Sequence, residues 1–226
     1  MRKYILLTIT LILLFGQYAY SEQSTQVDFI VDKLQKKYEG INDFHADFVQ
    51  EAEVRALNKT QKAFGEVWFK KPGKMRWNYY SPTKDTIVSN GNNLWYYIEQ
   101  ENQVLESNLK DLNGGDTSST TLLSGLGKIK ELFKVKLIND PALQSKNGYL
   151  LELIPIDVEE DEIKNKILIN VNKSDSLVNT IYLFDPFGNQ TKVSLIKTQI
   201  NQKIKDKTFE FKPPKGAEIV KLPSPK

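Results

Sequence analysis

Cysteine is absent from the 226 residues, and histidine occurs once, at His45. The first absence excludes disulfides, thiol catalysis, cysteine-ligated metal and a lipid-modified N-terminal cysteine, so the chain is not itself a lipoprotein. The second excludes a Cys–His pair or a multi-histidine zinc centre. His45 falls on the charged face of a strand and reads as an exposed strand residue. A nucleotide site is missing too. Gly127-Lys128 has Leu122 where a phosphate loop needs its first glycine and Ile129 where it needs Ser or Thr. The five carboxylates of residues 157–162 lack the spacing of a calcium loop and read as a solvated turn. No cofactor, no metal and no enzymatic activity are expected.

Long apolar runs are scarce. The one present, residues 5–15, is 11 residues long after Arg2 and Lys3, short of the roughly 20 that span a bilayer. Ala19-Tyr20-Ser21 follows with small residues at a peptidase's two positions, so residues 1–21 read as a cleaved secretory signal and 22–226 as one domain. Removing them leaves 29 basic against 28 acidic residues. With no concentrated basic stretch, nucleic acid is not an expected partner.

Apolar residues are plentiful, and their period is informative. Val27, Ile30, Val31, Leu34 and Tyr38 stripe one face of a helix over 26–38, with a capping box at Thr25 and Asp28 and a stop at Gly40. The period then drops to two. Strands are expected over 44–54, 64–71, 74–80, 86–89, 94–98 and 103–106, linked by a type II turn at Lys71-Pro72-Gly73-Lys74, a turn at Ser81-Pro82 and a hairpin at Asn90-Gly91. A polar loop over 113–120 precedes a second helix over 121–133. Gly125 and Gly127 lie inside it, each costing about 1 kcal/mol against alanine, which suits a movable cover. Strands resume over 133–138, 149–154, 166–171, 177–184, 191–198 and 208–211, and the tail from 212 reads as extended or loose. The fold class is mainly β with an α lid.

Val67, Phe69, Met75, Trp77, Tyr79, Leu94 and Tyr96 fall on one sheet face, with Trp68, Trp95 and Tyr97 on the other. One reading makes the first face ordinary core. A sharper one curves the sheet around an apolar cavity that the helices cover.

Four blocks carry a resemblance. Asp43-Phe44-His45-Ala46-Asp47-Phe48-Val49-Gln50 is similar to the Phe-x-Ala-x-Phe-x-Gln opening of the outer-membrane lipoprotein carrier family, LolA. Gly65-Glu66-Val67-Trp68-Phe69-Lys70-Lys71-Pro72-Gly73-Lys74-Met75-Arg76-Trp77 resembles its central hairpin. Ile87-Val88-Ser89-Asn90-Gly91 with Leu94-Trp95-Tyr96-Tyr97 resembles the next hairpin, and Phe209 to Gly216 its closing strand. The resemblance implies a single-domain incomplete antiparallel β-barrel closed by helices, a monomer working in the periplasm. It would receive acylated lipoproteins from an inner-membrane ABC complex and deliver them to an outer-membrane receptor.

The expected acyl site comprises Val67, Phe69, Met75, Trp77, Tyr79, Val88, Leu94 and Tyr96 on strands, with Leu122, Leu123, Leu126 and Ile129 on the lid. Lys71 stands where the family often has an arginine that bonds lid carbonyls, and it takes the role of latch. Two other functions fit the residues less directly: a lipid-sensing or scaffold domain on the same half-barrel, and a lipid hydrolase.

Overall fold

The computed structural model describes residues 26–108, 122–123, 125–156 and 165–222. The expected signal segment, the Thr25 cap, the polar loop at 113–120 and the acidic turn at 157–162 lie outside the described residues. Helix α1, residues 26–39, buries Ile30, Val31, Leu34 and Tyr38, four of the five stripe residues. It stops at Gly40, as the sequence predicts.

Twelve strands form one sheet: β1 Asp43–Val54, β2 Lys59–Lys70, β3 Lys74–Ser81, β4 Thr86–Asn90, β5 Asn93–Ile98, β6 Gln103–Asn108, β7 Phe133–Ile138, β8 Gly148–Pro155, β9 Lys166–Asn172, β10 Val178–Phe184, β11 Gln190–Ile200 and β12 Glu218–Lys221. Their spatial order is β12-β6-β5-β4-β3-β2-β1-β11-β10-β9-β8-β7, so among the described residues the sheet ends at β12 and β7 and does not close. All pairs are antiparallel except β12 with β6. β1 is the hinge of the topology: it pairs with β2 and with β11, joining the first meander to the second.

The sheet is strongly curled. Met75 and Trp77 on β3 belong to the same buried cluster as Leu151 and Leu153 on β8. Six strand spacings separate those strands, roughly 29 Å in a flat sheet. One cluster reaches both because the strands wrap around α1.

Four local expectations are corrected. Residues 121–133 do not form one helix: 122, 123 and 125 are helical, Leu126–Lys128 is a 3-10 turn, and α2 spans only Ile129–Leu132 before β7 begins at Phe133. Two glycines in seven residues let the chain tighten there, so that Leu126 and Ile129 are both fully buried. The strand expected at 208–211 is instead a 3-10 turn over Asp206–Phe209 followed by irregular chain, and Arg76 donates to the carbonyls of Thr208 and Glu210. The tail read as loose contains β12. The Lys71 turn departs from type II, since its Lys71–Pro72 peptide is cis, although Gly73 has the expected positive φ of 60°.

Packing at the centre turns on Gly65. A Cβ there would lie 2.1 Å from the Asn78 carbonyl oxygen and 2.7 Å from the Phe48 ring. The missing side chain lets Phe48 lie edge-on to Trp77, with centroids 4.9 Å apart. Gly65→Ala is therefore expected to cost about 3 kcal/mol or more, at the upper end for overpacking. Gly40→Ala, whose Cβ would meet its nearest neighbour, the Lys37 carbonyl oxygen, at an ordinary contact distance of 3.6 Å, should be neutral or slightly stabilising. Urea denaturation of both variants checks the contrast.

Candidate functional site

The inner face is assembled by register. Trp77 pairs with Val67 on one side and Ile87 on the other, and Ile87 pairs in turn with Tyr96. Met75 pairs with Phe69 and Ser89, and Ser89 with Leu94. Cross-strand partners share a face, so Val67, Phe69, Met75, Trp77, Tyr79, Leu94 and Tyr96 are brought together as the alternation predicts. Leu122, Leu123, Leu126 and Ile129 join them in the same cluster, and the segment adjoins α1 through Lys130, which meets Asp32 and Gln35.

Val88 does not. Its partners are Arg76 and Trp95, which places it on the outer face. Ile87 and Val88 are adjacent apolar residues and only one of them can point inward; Ile87 holds the inner place. The helix stripe of α1 also belongs to the site, through Leu34 in particular. Its periodicity was the available signal.

The two readings of this face become one. Trp77 is 1% exposed, and Leu34, Leu126 and Ile129 have no exposed surface at all. Eight of the residues expected to line a cavity, Val67, Phe69, Met75, Trp77, Leu122, Leu123, Leu126 and Ile129, are buried hydrophobic core, with Tyr79 and Leu94 partly buried against it. A separate cavity of about 650 Å³ lies over the second apolar cluster, beside Ile138, Leu143, Leu168 and Phe184.

Polar groups at the edge of this interior fix the helices in place. Lys71 Nζ donates to the carbonyls of Tyr38, at 2.7 Å, and Glu39, at 3.1 Å. These are the last carbonyls of α1, not those of the 122–132 segment, so the expected latch is corrected: Lys71 caps α1. A cation there satisfies carbonyls without intrahelical partners and complements the helix dipole. Gly127 passes over the junction, where a Cβ would lie 3.7 Å from both Lys71 Nζ and the Tyr38 carbonyl. Deeper in, the Val178 N–H donates to the Tyr38 hydroxyl at 3.1 Å. Burial pushes that phenol far up and keeps it neutral.

Tyr79 donates to Gln50 Oε1 at 3.0 Å. Burial, with Tyr96 and Asp85 nearby, pushes its phenol up to about 12. The interior thus offers apolar contact and two neutral phenols.

The sheet is open and curled, and its inner face is covered by helical segments of the same chain, so that cover and core are the same atoms. The chain belongs to the family described as outer membrane lipoprotein carrier protein LolA, whose model matches residues 39–212. An outer-membrane lipoprotein carrier protein of Legionella pneumophila (strain Corby) is 29% identical over 216 residues, covering 95% of this chain and 98% of the relative. One from Chromobacterium violaceum is 30% identical over 190 residues, 84% and 86% of the two chains. Among solved structures, an uncharacterized conserved protein of Thermus thermophilus superposes with a TM-score of 0.53 at 12% identity, over 88% of this chain and 100% of that one. That likeness supports the fold.

Two outcomes are expected. Lys71→Leu leaves two helix-end carbonyls without their cation, which should cost about 1–2 kcal/mol, whereas Lys71→Arg should retain most of it. Denaturant midpoints, with exchange rates at the C-terminal turn of α1, check this. The raised phenol of Tyr79 makes the folded state hold its proton longer than the unfolded one. Its contribution is fully present below the ordinary phenol value of about 10 and is lost as pH rises through about 12. Phenolate absorbance should show Tyr79 ionising late, and Tyr79→Phe should lose that component.

Proposed function

We propose that this chain carries acylated lipoproteins through the periplasm, taking them from an inner-membrane ABC complex and passing them to an outer-membrane receptor. It acts by binding and release, not by catalysis. The single observation that carries the reading is that the broad apolar inner face of the sheet is covered by segments of the chain itself. The family match and the carrier names of its relatives support it.

The energetics need such a cover. Burying a methylene is worth about 0.8 kcal/mol, so an acyl chain of about 16 carbons gains on the order of 10 kcal/mol. A cavity left open to water would hold that chain too firmly to give it up. Here Leu122, Leu123, Leu126 and Ile129 fill the face when cargo is absent, and cargo must displace them. The segment is suited to leave, being a broken helix with two glycines rather than a continuous one. The bound and empty states then differ by the small gap between two apolar burials, which suits transfer.

A two-step assay that scores loading and hand-off separately tests this. Leu126→Ala removes part of the competitor, a change worth about 2–5 kcal/mol to the closed form. It should tighten loading roughly tenfold or more and slow hand-off. Trp77→Ala removes part of the shared sheet wall and should weaken loading. Equal losses of loading in both variants would make the segment ordinary core and sink the competition.

A further inference from the structure

The outer face of the sheet carries one group of side chains that a lipid carrier leaves unused. His45 and Asp47 alternate on β1 and so share that face, and Glu66 on β2 is the register partner of Asp47. Three donor atoms, one from each residue, all lie within 4.8 Å of one another. His45 Nε2 is 3.0 Å from Glu66 Oε1. All three side chains are half-buried. Trp68, the partner of His45, stacks on the imidazole with centroids 4.9 Å apart and planes 13° from parallel, which holds the ring in place.

Two carboxylates directly opposite each other across a strand pair repel. This pair draws positive charge and donors to itself. Lys197 Nζ lies 2.8 Å from Asp47 Oδ2, and the Tyr80 hydroxyl donates to Glu66. Lys197 arrives at a register shift between β1 and β11, with a positive φ of 53° and a side chain 78% exposed. Its ammonium marks where the field of the two acids holds a cation, and its exposure makes it an exchangeable one. An ammonium can only hydrogen-bond to an imidazole nitrogen, whereas a metal of the zinc class can coordinate it.

We propose that His45, Asp47 and Glu66 bind a divalent metal of the zinc class, with three protein ligands and an open fourth position. One imidazole nitrogen with two carboxylate oxygens suits zinc better than magnesium or calcium, which take oxygen sets. Tetrahedral ligands about 2.0–2.2 Å from zinc stand about 3.4 Å apart. The His45–Glu66 spacing nearly matches that already, and Asp47 reaches it by a side-chain rotation that releases Lys197. The metal would tie β1 to β2 on the outer side of strands whose inner side holds Phe44, Phe48, Val67 and Phe69.

Calorimetric titration of the full chain with zinc chloride tests the site, and quenching of Trp68 emission by cobalt gives a second readout, with Trp68→Phe as its control. The wild type should saturate at one metal per chain. His45→Ala and, independently, Glu66→Gln should each weaken binding at least tenfold while circular dichroism stays unchanged. Lys197→Ala should move the other way and tighten binding several-fold, because it removes the competing cation. Absence of saturable binding, unchanged affinity in His45→Ala, or weaker binding in Lys197→Ala would each overturn the assignment.

Discussion

A sheet that ends at β7 on one side and β12 on the other leaves its inner face unsealed. That face carries Phe44, Phe48, Trp77, Ile169 and Ile181, all buried. At about 25 cal/mol per Å² of apolar surface, leaving it wet would cost more than a domain's usual margin of roughly 5–15 kcal/mol. The chain must therefore supply a cover, and α1 with residues 122–129 is that cover. The curl of the sheet, the placement of Lys71 and the role of Gly65 all follow from it.

The two sides of the sheet are held differently, and the difference bears on function. On the outer side, residues 204–211 strap β2 to β5. Phe209 is buried there, Phe211 stacks on Trp95, and Lys70 and Lys74 grip Asp206. Those lysines hold the Asp206 carboxyl below its usual range. On the inner side, Leu122, Leu123, Leu126 and Ile129 pack into the apolar cluster, and the adjoining Lys130 pairs with Asp32 and donates its N–H to Gln35 of α1, which is itself anchored at its C-terminus by Lys71 and Tyr38. A wall braced from behind can stay in place while a cover seated mainly by apolar side chains and tied at its end to α1 exchanges with a ligand of the same character.

Much of this was legible in the sequence because strand alternation and sheet register carry the same information. Val67, Phe69, Met75 and Trp77 alternate, and register brought them together. The reading slipped where two apolar residues adjoin: Ile87 and Val88 are both sheltered, on opposite faces, and periodicity in a five-residue strand does not say which points inward. It slipped again at 208–211, where Thr208, Phe209 and Phe211 look like a strand but lie in a 3-10 turn and irregular chain, with Arg76, far away in sequence, donating to the carbonyls of Thr208 and Glu210. The helix over 121–133 had the correct apolar spacing, yet its two glycines broke it into turns, a tertiary outcome that spacing alone does not encode. β12 was invisible because Glu218-Ile219-Val220-Lys221 is short and half exposed, and it becomes a strand only beside β6.

The central claim is that one apolar face is filled in turn by the chain's own segment and by cargo. Native-state hydrogen exchange, with and without an acylated lipopeptide, measures this directly. The account predicts that cargo lowers protection across residues 122–132 while β1, β2 and β3 keep theirs, since the sheet is the wall common to both states. Unchanged or increased protection of 122–132 on saturation with lipopeptide would contradict it, because the segment would then stay in place beside the acyl chain.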